Sequence, residues 1–194
     1  MDQGPHERRS HAGAWTALIR FRPAHQDVSD VLATLVRWEN DPAIRHLFRP
    51  FETKEDAARP TTLVDAATKL ASALESERSV FFIELDGALV GEVSLMMDPP
   101  MVHAPQGKTA WFGVVLGEAH ARGKGIGRLA MQFIEDEARN QGAEFAQIGV
   151  FEFNERARGL YESLGYEEIA RKPKFTWWKG KTWTDIRMQK TLLP

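Results

Sequence analysis

The clearest periodicity in the chain lies between Ile126 and Ala138. Ile126, Leu129, Ala130, Phe133, Ile134 and Ala138 fall at i, i+3, i+4, i+7, i+8 and i+12. That spacing lays one apolar stripe along a helix and leaves Glu135-Asp136-Glu137 mostly facing out, with Gly142 placed to end it. Val28, Val31, Leu32, Leu35 and Val36 repeat the pattern and predict a helix over 28–38. Asn40-Asp41-Pro42 then reads as a cap with proline at the first helical position, leading a short helix. A further helix is predicted from about 56 to 76, entered through a loose capping box at Thr53-Lys54-Glu55-Asp56 and broken or restarted by Pro60.

Between these helices the pattern is that of strands. Thr16 to Arg22 reads as the first, stopped by Pro23. Ser79 to Leu85 and Leu89 to Met97 flank Asp86-Gly87, a strong hairpin signal. Lys108 to Leu116 is a third strand of this meander, with Gly113 inside it, and an interior glycine marks a bulge or a close backbone approach. Phe145 to Phe151 follows the long helix, then a helix from Asn154 to Leu164 closed by Gly165. Two last strands, about Tyr166 to Trp177 and Thr182 to Lys190, join across Lys179-Gly180-Lys181. The order β-α-α-β-β-β-α-β-α-β-β predicts a mixed sheet of about seven strands with helices on its faces, an α+β fold.

Composition narrows the function without naming it. The 194 residues are 43% hydrophobic and 27% charged, ordinary for one globular domain, and no linker or repeat divides them. Residues 1–13 are polar and read as a loose tail, leaving a single domain over 14–194. A net charge of −2 gives no sign of a nucleic-acid or anionic-membrane partner. No apolar run approaches the roughly 20 residues that span a bilayer, and no secretory leader precedes the domain, so the cytoplasm is the expected compartment. There is no cysteine, hence no disulfide, thiolate nucleophile or cysteine zinc site, and no metal is expected.

Candidate chemistry begins at Arg122-Gly123-Lys124-Gly125-Ile126-Gly127-Arg128, between a strand and the best helix. Glycines let the backbone turn its N–H groups toward a ligand, and the helix behind adds unpaired N–H groups and a positive dipole end. This is an anion site, most naturally for a pyrophosphate. Taken alone, R-x-x-G-x-G is weak, arising by chance in about one such chain in twenty to thirty. A Walker A loop is excluded because Lys124 is followed by Gly125 rather than Ser or Thr. Gly125-Ile126-Gly127-Arg128-Leu129-Ala130 does match the G-x-G-x-x-A dinucleotide fingerprint. However, it lies nine residues past Leu116, and too little chain remains after Glu152 for the second half of a doubly wound NAD(P)-binding sheet.

Asn154-Glu155-Arg156-Ala157 opens the helix that carries Tyr161, and Asn154, Ala157 and Tyr161 lie near one face. Together these residues resemble the GNAT superfamily of acetyl-CoA-dependent N-acetyltransferases. Arg122 to Gly127 looks like its Q/R-x-x-G-x-G/A loop, and Asn154 to Ala157 with Tyr161 to Tyr166 looks like its N-x-x-A…Y-x-x-x-G-F/Y segment. The resemblance covers about Ser79 to Thr191, and Tyr166 stands where phenylalanine is commoner.

The resemblance implies a sheet splayed at an acetyl-CoA site. Val114, Val115 and Leu116 would present backbone groups to the pantetheine arm, and a strand N–H near Val115 would face the developing oxyanion. The amides from Arg122 through Gly123, Lys124, Gly125, Ile126 and Gly127 to Arg128 would hold the pyrophosphate. Asn154 and Ala157 would meet the coenzyme, and Tyr161 would protonate the departing thiolate. Transfer to a primary amine would be direct, in a ternary complex, and a non-catalytic acetyl-CoA-binding module is the alternative. For the base, Glu92 on the hairpin strand competes with a water chain; His103, in the Pro99–Pro105 loop, reads as a surface residue. Glu39, Asp41 and Glu52 could form an acidic rim for the amine, although caps and solvated faces are the favoured reading of them. The tail around Trp177, Trp178 and Trp183 is similar to the closing hairpin of polyamine and ribosomal-protein acetyltransferases, and offers an acceptor slot or a homodimer face. The acceptor class, a small amine such as a polyamine or aminoglycoside or a peptide N-terminus, stays open.

Overall fold

The structure, a computed structural model, describes residues 6–11, 16–24 and 28–192. Eight strands form one sheet in the order β1-β2-β3-β4-β5-β6-β8-β7. The strands are β1 (His6–His11), β2 (Thr16–Pro23), β3 (Ser79–Leu85), β4 (Ala88–Met97), β5 (Thr109–Leu116), β6 (Phe145–Phe151), β7 (Glu167–Trp178) and β8 (Lys181–Thr191). The helices are α1 (Ser29–Asn40), α2 (Lys54–Ala58), α3 (Leu63–Glu75), α4 (Ile126–Asn140) and α5 (Glu155–Ser163), with short 3-10 turns at Arg45–Leu47 and Ala119–Ala121. Seven strands are those expected. The eighth, β1, falls in the stretch read as a loose tail: His6–His11 pairs antiparallel with β2, whose outer edge would otherwise carry unpaired backbone groups. Residues 1–5, 12–15, 25–27 and 193–194, parts of the expected tail and domain, lie outside the described residues.

Local chemistry explains most element ends. Pro60 does divide the predicted 56–76 helix into α2 and α3. Thr53 caps the first by accepting from the Asp56 N–H, and Thr62 with Asp65 makes a full capping box on the second. Both two-residue hairpins have consecutive positive φ, Asp86 and Gly87 at 51° and 83°, Lys179 and Gly180 at 50° and 81°. That backbone matches the right-handed twist of the strands it joins.

All sheet neighbours are antiparallel except β5 and β6, which α4 connects as a crossover. A doubly wound parallel nucleotide fold is thereby excluded. One face of the sheet packs Ile19, Phe21, Phe81, Ile83, Val93, Leu95, Phe112, Ile148, Ile186 and Met188 against the stripe of α4. Phe133 stacks on Phe21 at 4.2 Å and meets Phe81 edge-on at 4.9 Å. The other face buries Phe82 under Val31, Leu35, Trp38 and Leu70 of α1 and α3. Glu135, expected to point outward, is buried instead; it accepts from the Tyr166 hydroxyl at 3.1 Å and from Lys190 Nζ at 2.7 Å. A tyrosine at 166 therefore has a partner that phenylalanine would lack.

The β5–β6 seam is short. Its register runs from Thr109–Phe145 to Phe112–Ile148 and stops there. The next positions on the two strands would be Gly113 and Gly149, and beyond them β5 continues alongside β4 only. The sheet is splayed from this point, as expected.

Candidate active site

The splay opens a cleft of about 320 Å3. It is walled by Val114, Val115 and Leu116 of β5, by Arg122, Gly123, Gly125, Gly127 and Arg128 of the glycine-rich turn, and by Asn154, Ala157, Leu160 and Tyr161 of α5. Arg156 and Leu47 complete the wall. Among the described residues no acidic side chain contributes to it, whereas three arginines do, so its field suits a polyanion.

The turn owes its shape to backbone conformations that glycine alone adopts cheaply. Gly123 has φ 79°, and Gly125, the N-cap of α4, has φ 80°. In consequence the N–H groups of Gly123, Gly125, Ile126, Gly127 and Arg128 meet no acceptor among the described residues, a row of donors at a helix N-terminus. Arg122 departs from its expected part. Its own N–H bonds to the Ala119 carbonyl, and its guanidinium folds back onto Leu116 O at 3.1–3.2 Å and Gly117 O at 3.0 Å. It ties the end of β5 to the turn. Ile126 turns its side chain into the core and offers only its amide, and the exposed Lys124 side chain is not part of the wall.

Register settles which β5 amides face the cleft. Asp98 with Thr109, and Gly117 with Val90, are hydrogen-bonded pairs of the β4–β5 ladder, so odd-numbered β5 residues turn their N–H and C=O toward β4. Val115 is therefore committed to β4, and a strand N–H near Val115 that faces the cleft must come from its even-numbered neighbours. The even residues Val114 and Leu116 point their backbone groups into the gap.

On α5, Asn154 accepts from the Ala157 N–H at 3.3 Å as N-cap, and Tyr161 lies two turns on, buried at 6% exposure. Its hydroxyl has no hydrogen-bond partner among the described residues, and burial pushes the phenol above its ordinary pKa. It stays protonated and lines the same cleft as the amide row.

Other expected site residues lie elsewhere. Glu92 opens on a separate pocket of about 50 Å3 between the sheet and α1–α3, with Glu39, Lys69, Arg78 and Ser94. Desolvation there raises its pKa, against the opposing pull of Lys69 and Arg78. Glu39 is held by Lys69 Nζ at 2.6 Å and by the Thr61 hydroxyl at 3.2 Å. Asp41 accepts from the Ala43 N–H at 2.8 Å and serves as a local cap. Trp177 is half-buried and its N–H donates to Phe51 O at 2.7 Å. The neighbouring Trp178 instead joins an aromatic group: His46 stacks on it at 4.0 Å, and Phe153 lies 4.4 Å from it and 5.2 Å from Trp183. Burial and then Lys179 lower the His46 pKa to about 4, so its imidazole is neutral. His103 is exposed, as expected, and its backbone pairs with the buried Gln147 side chain.

The sequence reading missed Leu47, Arg156 and Leu160 as cleft residues. Arg156 and Leu160 were open to helical-spacing arguments; Leu47 comes from the 3-10 turn at Arg45–Leu47 and carries no local signal.

Comparison with known proteins agrees with this geometry. Residues 41–166 match the family described as acetyltransferase (GNAT) family. The uncharacterized N-acetyltransferase YdgE of Bacillus subtilis is 36% identical over 106 residues, which cover 55% of this chain and 55% of that protein. The uncharacterized N-acetyltransferase YhfO of the same organism is 30% identical over 65% of this chain and 83% of its own length. Among solved structures, an N-acetyltransferase of Staphylococcus aureus superposes with TM-score 0.71 at 17% identity, covering 91% of this chain and 99% of that one. The yncA putative acetyltransferase of Salmonella typhimurium, solved with acetyl-CoA, gives 0.67 at 20% identity over 90% and 94%. Among the described residues no helix is long and apolar enough to cross a membrane, and no group of acidic or histidine side chains is arranged to hold a metal.

Proposed function

The chain belongs to the GNAT family of acetyltransferases, and from that premise we propose that it binds acetyl-CoA in the splayed cleft and transfers the acetyl group directly to a primary amine. The observation that carries this reading is the row of amides at Gly123, Gly125, Ile126, Gly127 and Arg128, which meet no acceptor among the described residues, beside the Tyr161 hydroxyl. The amides and the guanidinium groups of Arg128 and Arg156 suit the diphosphate. Val114 and Leu116 suit the pantetheine amides and, at the thioester, the oxyanion.

The chemistry follows from what each group can do. An alkyl ammonium of pKa near 10.4 is about 99.9% protonated at pH 7 and must lose a proton before attack. The amine nitrogen then bonds to the thioester carbon, and the carbonyl oxygen gathers charge opposite the β5 amides. As the C–S bond breaks, the sulfur leaves with the Tyr161 proton, and the second proton shed by nitrogen restores the phenol. Without cysteine no thiol-acyl intermediate can form, which favours the ternary complex. The acceptor class we infer is a small amine such as a polyamine or aminoglycoside, or a peptide N-terminus, and the compartment we infer is the cytoplasm.

Two measurements test the reading. Acetyl-CoA should raise the melting temperature where NAD and NADP do not, and an amine panel of spermidine, kanamycin, methionine and an alanyl tetrapeptide should drive release of free thiol. Binding without thiol release would leave a non-catalytic acetyl-CoA module. Ping-pong kinetics with a trapped acyl-enzyme would overturn direct transfer.

A further inference from the structure

The cleft runs through the sheet rather than along it. Leu160 and Tyr161 wall it on the α4–α5 side, while Leu47 and the Val115 side chain, register partner of Glu92, wall it on the other. On that second face β5 presents Trp111, Gly113 and Val115, and β6 presents Gly149 beside them. Just beyond the residues that line the cleft, the strands thus part over a floor of two glycines with no side chain on either. The Asp185 carboxylate reaches this floor. A Cβ at Gly149 would stand 2.9 Å from Asp185 Oδ1 and 3.3 Å from Trp111 Cη2, so the carboxylate occupies the place of the missing β6 side chain.

Asp185 is held there by a buried device. Its Oδ2 lies 2.5 Å from Arg187 Nε, with both side chains at 4% exposure. The guanidinium is sandwiched between Trp111 at 4.4 Å and Phe175 at 5.5 Å. No described residue donates to Asp185 Oδ1, and Arg187 Nη1 is buried with no hydrogen-bond partner, as are Arg187 Nε and Asp185 Oδ2 beyond their own ion-pair contact. A purely structural pair would be expected to satisfy these atoms, because each unsatisfied one costs about 1–3 kcal/mol. The charged neighbours are few: Arg187 on β8 itself and Lys172, the register partner on β7, while the register partner on β6 is Phe151. Burial raises the Asp185 carboxyl from its ordinary value to about 6, against the pull of Arg187 and Lys172. A base that titrates just below neutrality is ionised at pH 7 and close to the best match for proton uptake.

We propose that the acceptor amine enters over the Gly113–Gly149 floor and that Asp185, oriented by Arg187, is the base that takes up its proton. This deepens the acetyl-transfer reading and rests on it. The ammonium gives one proton to the Asp185 carboxylate, which passes it to solvent; the freed lone pair forms the N–C bond; the C–S bond breaks, sulfur leaves protonated by Tyr161, and the second proton shed by nitrogen restores the phenol. Glu92, facing the α1–α3 pocket, is not needed in this scheme.

Asp185→Asn alone strands a buried guanidinium and is expected to fold poorly, so the decisive variant is the double Asp185→Asn/Arg187→Met, which removes both charges together. In wild-type enzyme, thiol release with the best amine of the panel above should show an acidic limb in kcat/KM near pH 6. The double variant should bind acetyl-CoA with wild-type affinity, lose at least about 10²-fold in kcat/KM and lose that limb. Arg187→Met alone should move the limb to higher pH, because a cation that favours the carboxylate is gone. A double variant with wild-type rate and limb overturns the proposal while leaving acetyl transfer intact. So does disappearance of the limb in Glu92→Gln with the limb preserved in the double variant. Absence of turnover in the wild type with every amine removes the transfer reading, and this proposal with it.

Discussion

Tyr161→Phe separates rate from stability, because its hydroxyl has no partner among the described residues. Truncation removes one oxygen from a buried ring and breaks no hydrogen bond among the described residues. An unpaired buried polar atom costs about 1–3 kcal/mol. The hydroxyl lies on the cleft wall, where solvent meets part of that need, so the variant should be as stable as wild type or more so by up to about 2 kcal/mol. The rate should move the other way. Loss of a general acid lowers kcat by about 10²-fold or more, or ~2.7 kcal/mol in the transition state. Acetyl-CoA affinity should hold, since the ring and its packing remain. Three readouts on one preparation decide the matter: the urea midpoint, calorimetric acetyl-CoA binding, and thiol release against amine concentration. An unchanged kcat refutes the general-acid role. A stability loss above about 1 kcal/mol refutes the geometry from which the argument starts, since it would mean that the hydroxyl has a structural partner.

Gly125→Ala should weaken acetyl-CoA about five- to thirty-fold, the equivalent of the roughly 1–2 kcal/mol that a left-handed conformation costs an L-residue; no atom lies within 4 Å of the added methyl, so the cost is backbone alone. Gly159→Ala, equally open but mid-helix with ordinary φ, should stabilise the fold and leave binding unchanged, and equal Kd values for the two variants would remove the turn from the ligand site. Glu92→Gln should reveal a linkage. The folded-state pKa is raised by burial, so the stability that Glu92 contributes is present below its unfolded pKa and is lost as pH rises through the folded one. The variant should therefore gain on wild type in melting temperature between pH 4 and pH 8, and parallel curves across that range would show that the carboxyl is not desolvated.

Where sequence succeeded, the determinants were local. The α4 stripe, the Asp86-Gly87 and Lys179-Gly180 turns and the Gly123/Gly125 conformations depend on residues within a few positions of one another. Where it failed, the determinant lay across the sheet. The polar segment His6–His11 has no apolar alternation; the open edge of β2 makes it a strand. Glu135 reads as solvent-facing until Lys190 and Tyr166, from distant strands, arrive to satisfy it. Trp178 rather than Trp177 joins the aromatic group because β7 carries one extra residue at Glu168/Ala170 and two at Lys172/Thr176, and an odd total reverses which side chains face which way. Asp185 and Arg187 alternate with Ile186 and Met188 along β8, yet all four are buried. Leu47 was invisible for a related reason: only tertiary packing carries the turn at Arg45–Leu47 to the cleft.

The brevity of the β5–β6 seam has a mechanical consequence. The molecule is in effect two antiparallel plates, β1 to β5 and β6 to β8, stitched by a single parallel stretch that ends at Phe112 and Ile148 and by the crossover helix above it. A ligand lodged between Val114–Leu116 on one plate and α5 on the other acts as a splint, taking up main-chain groups that no strand satisfies. Occupancy should then stiffen the whole scaffold, with slowed amide exchange along both torn edges, and departure of the product should loosen the same join that the next ligand must enter.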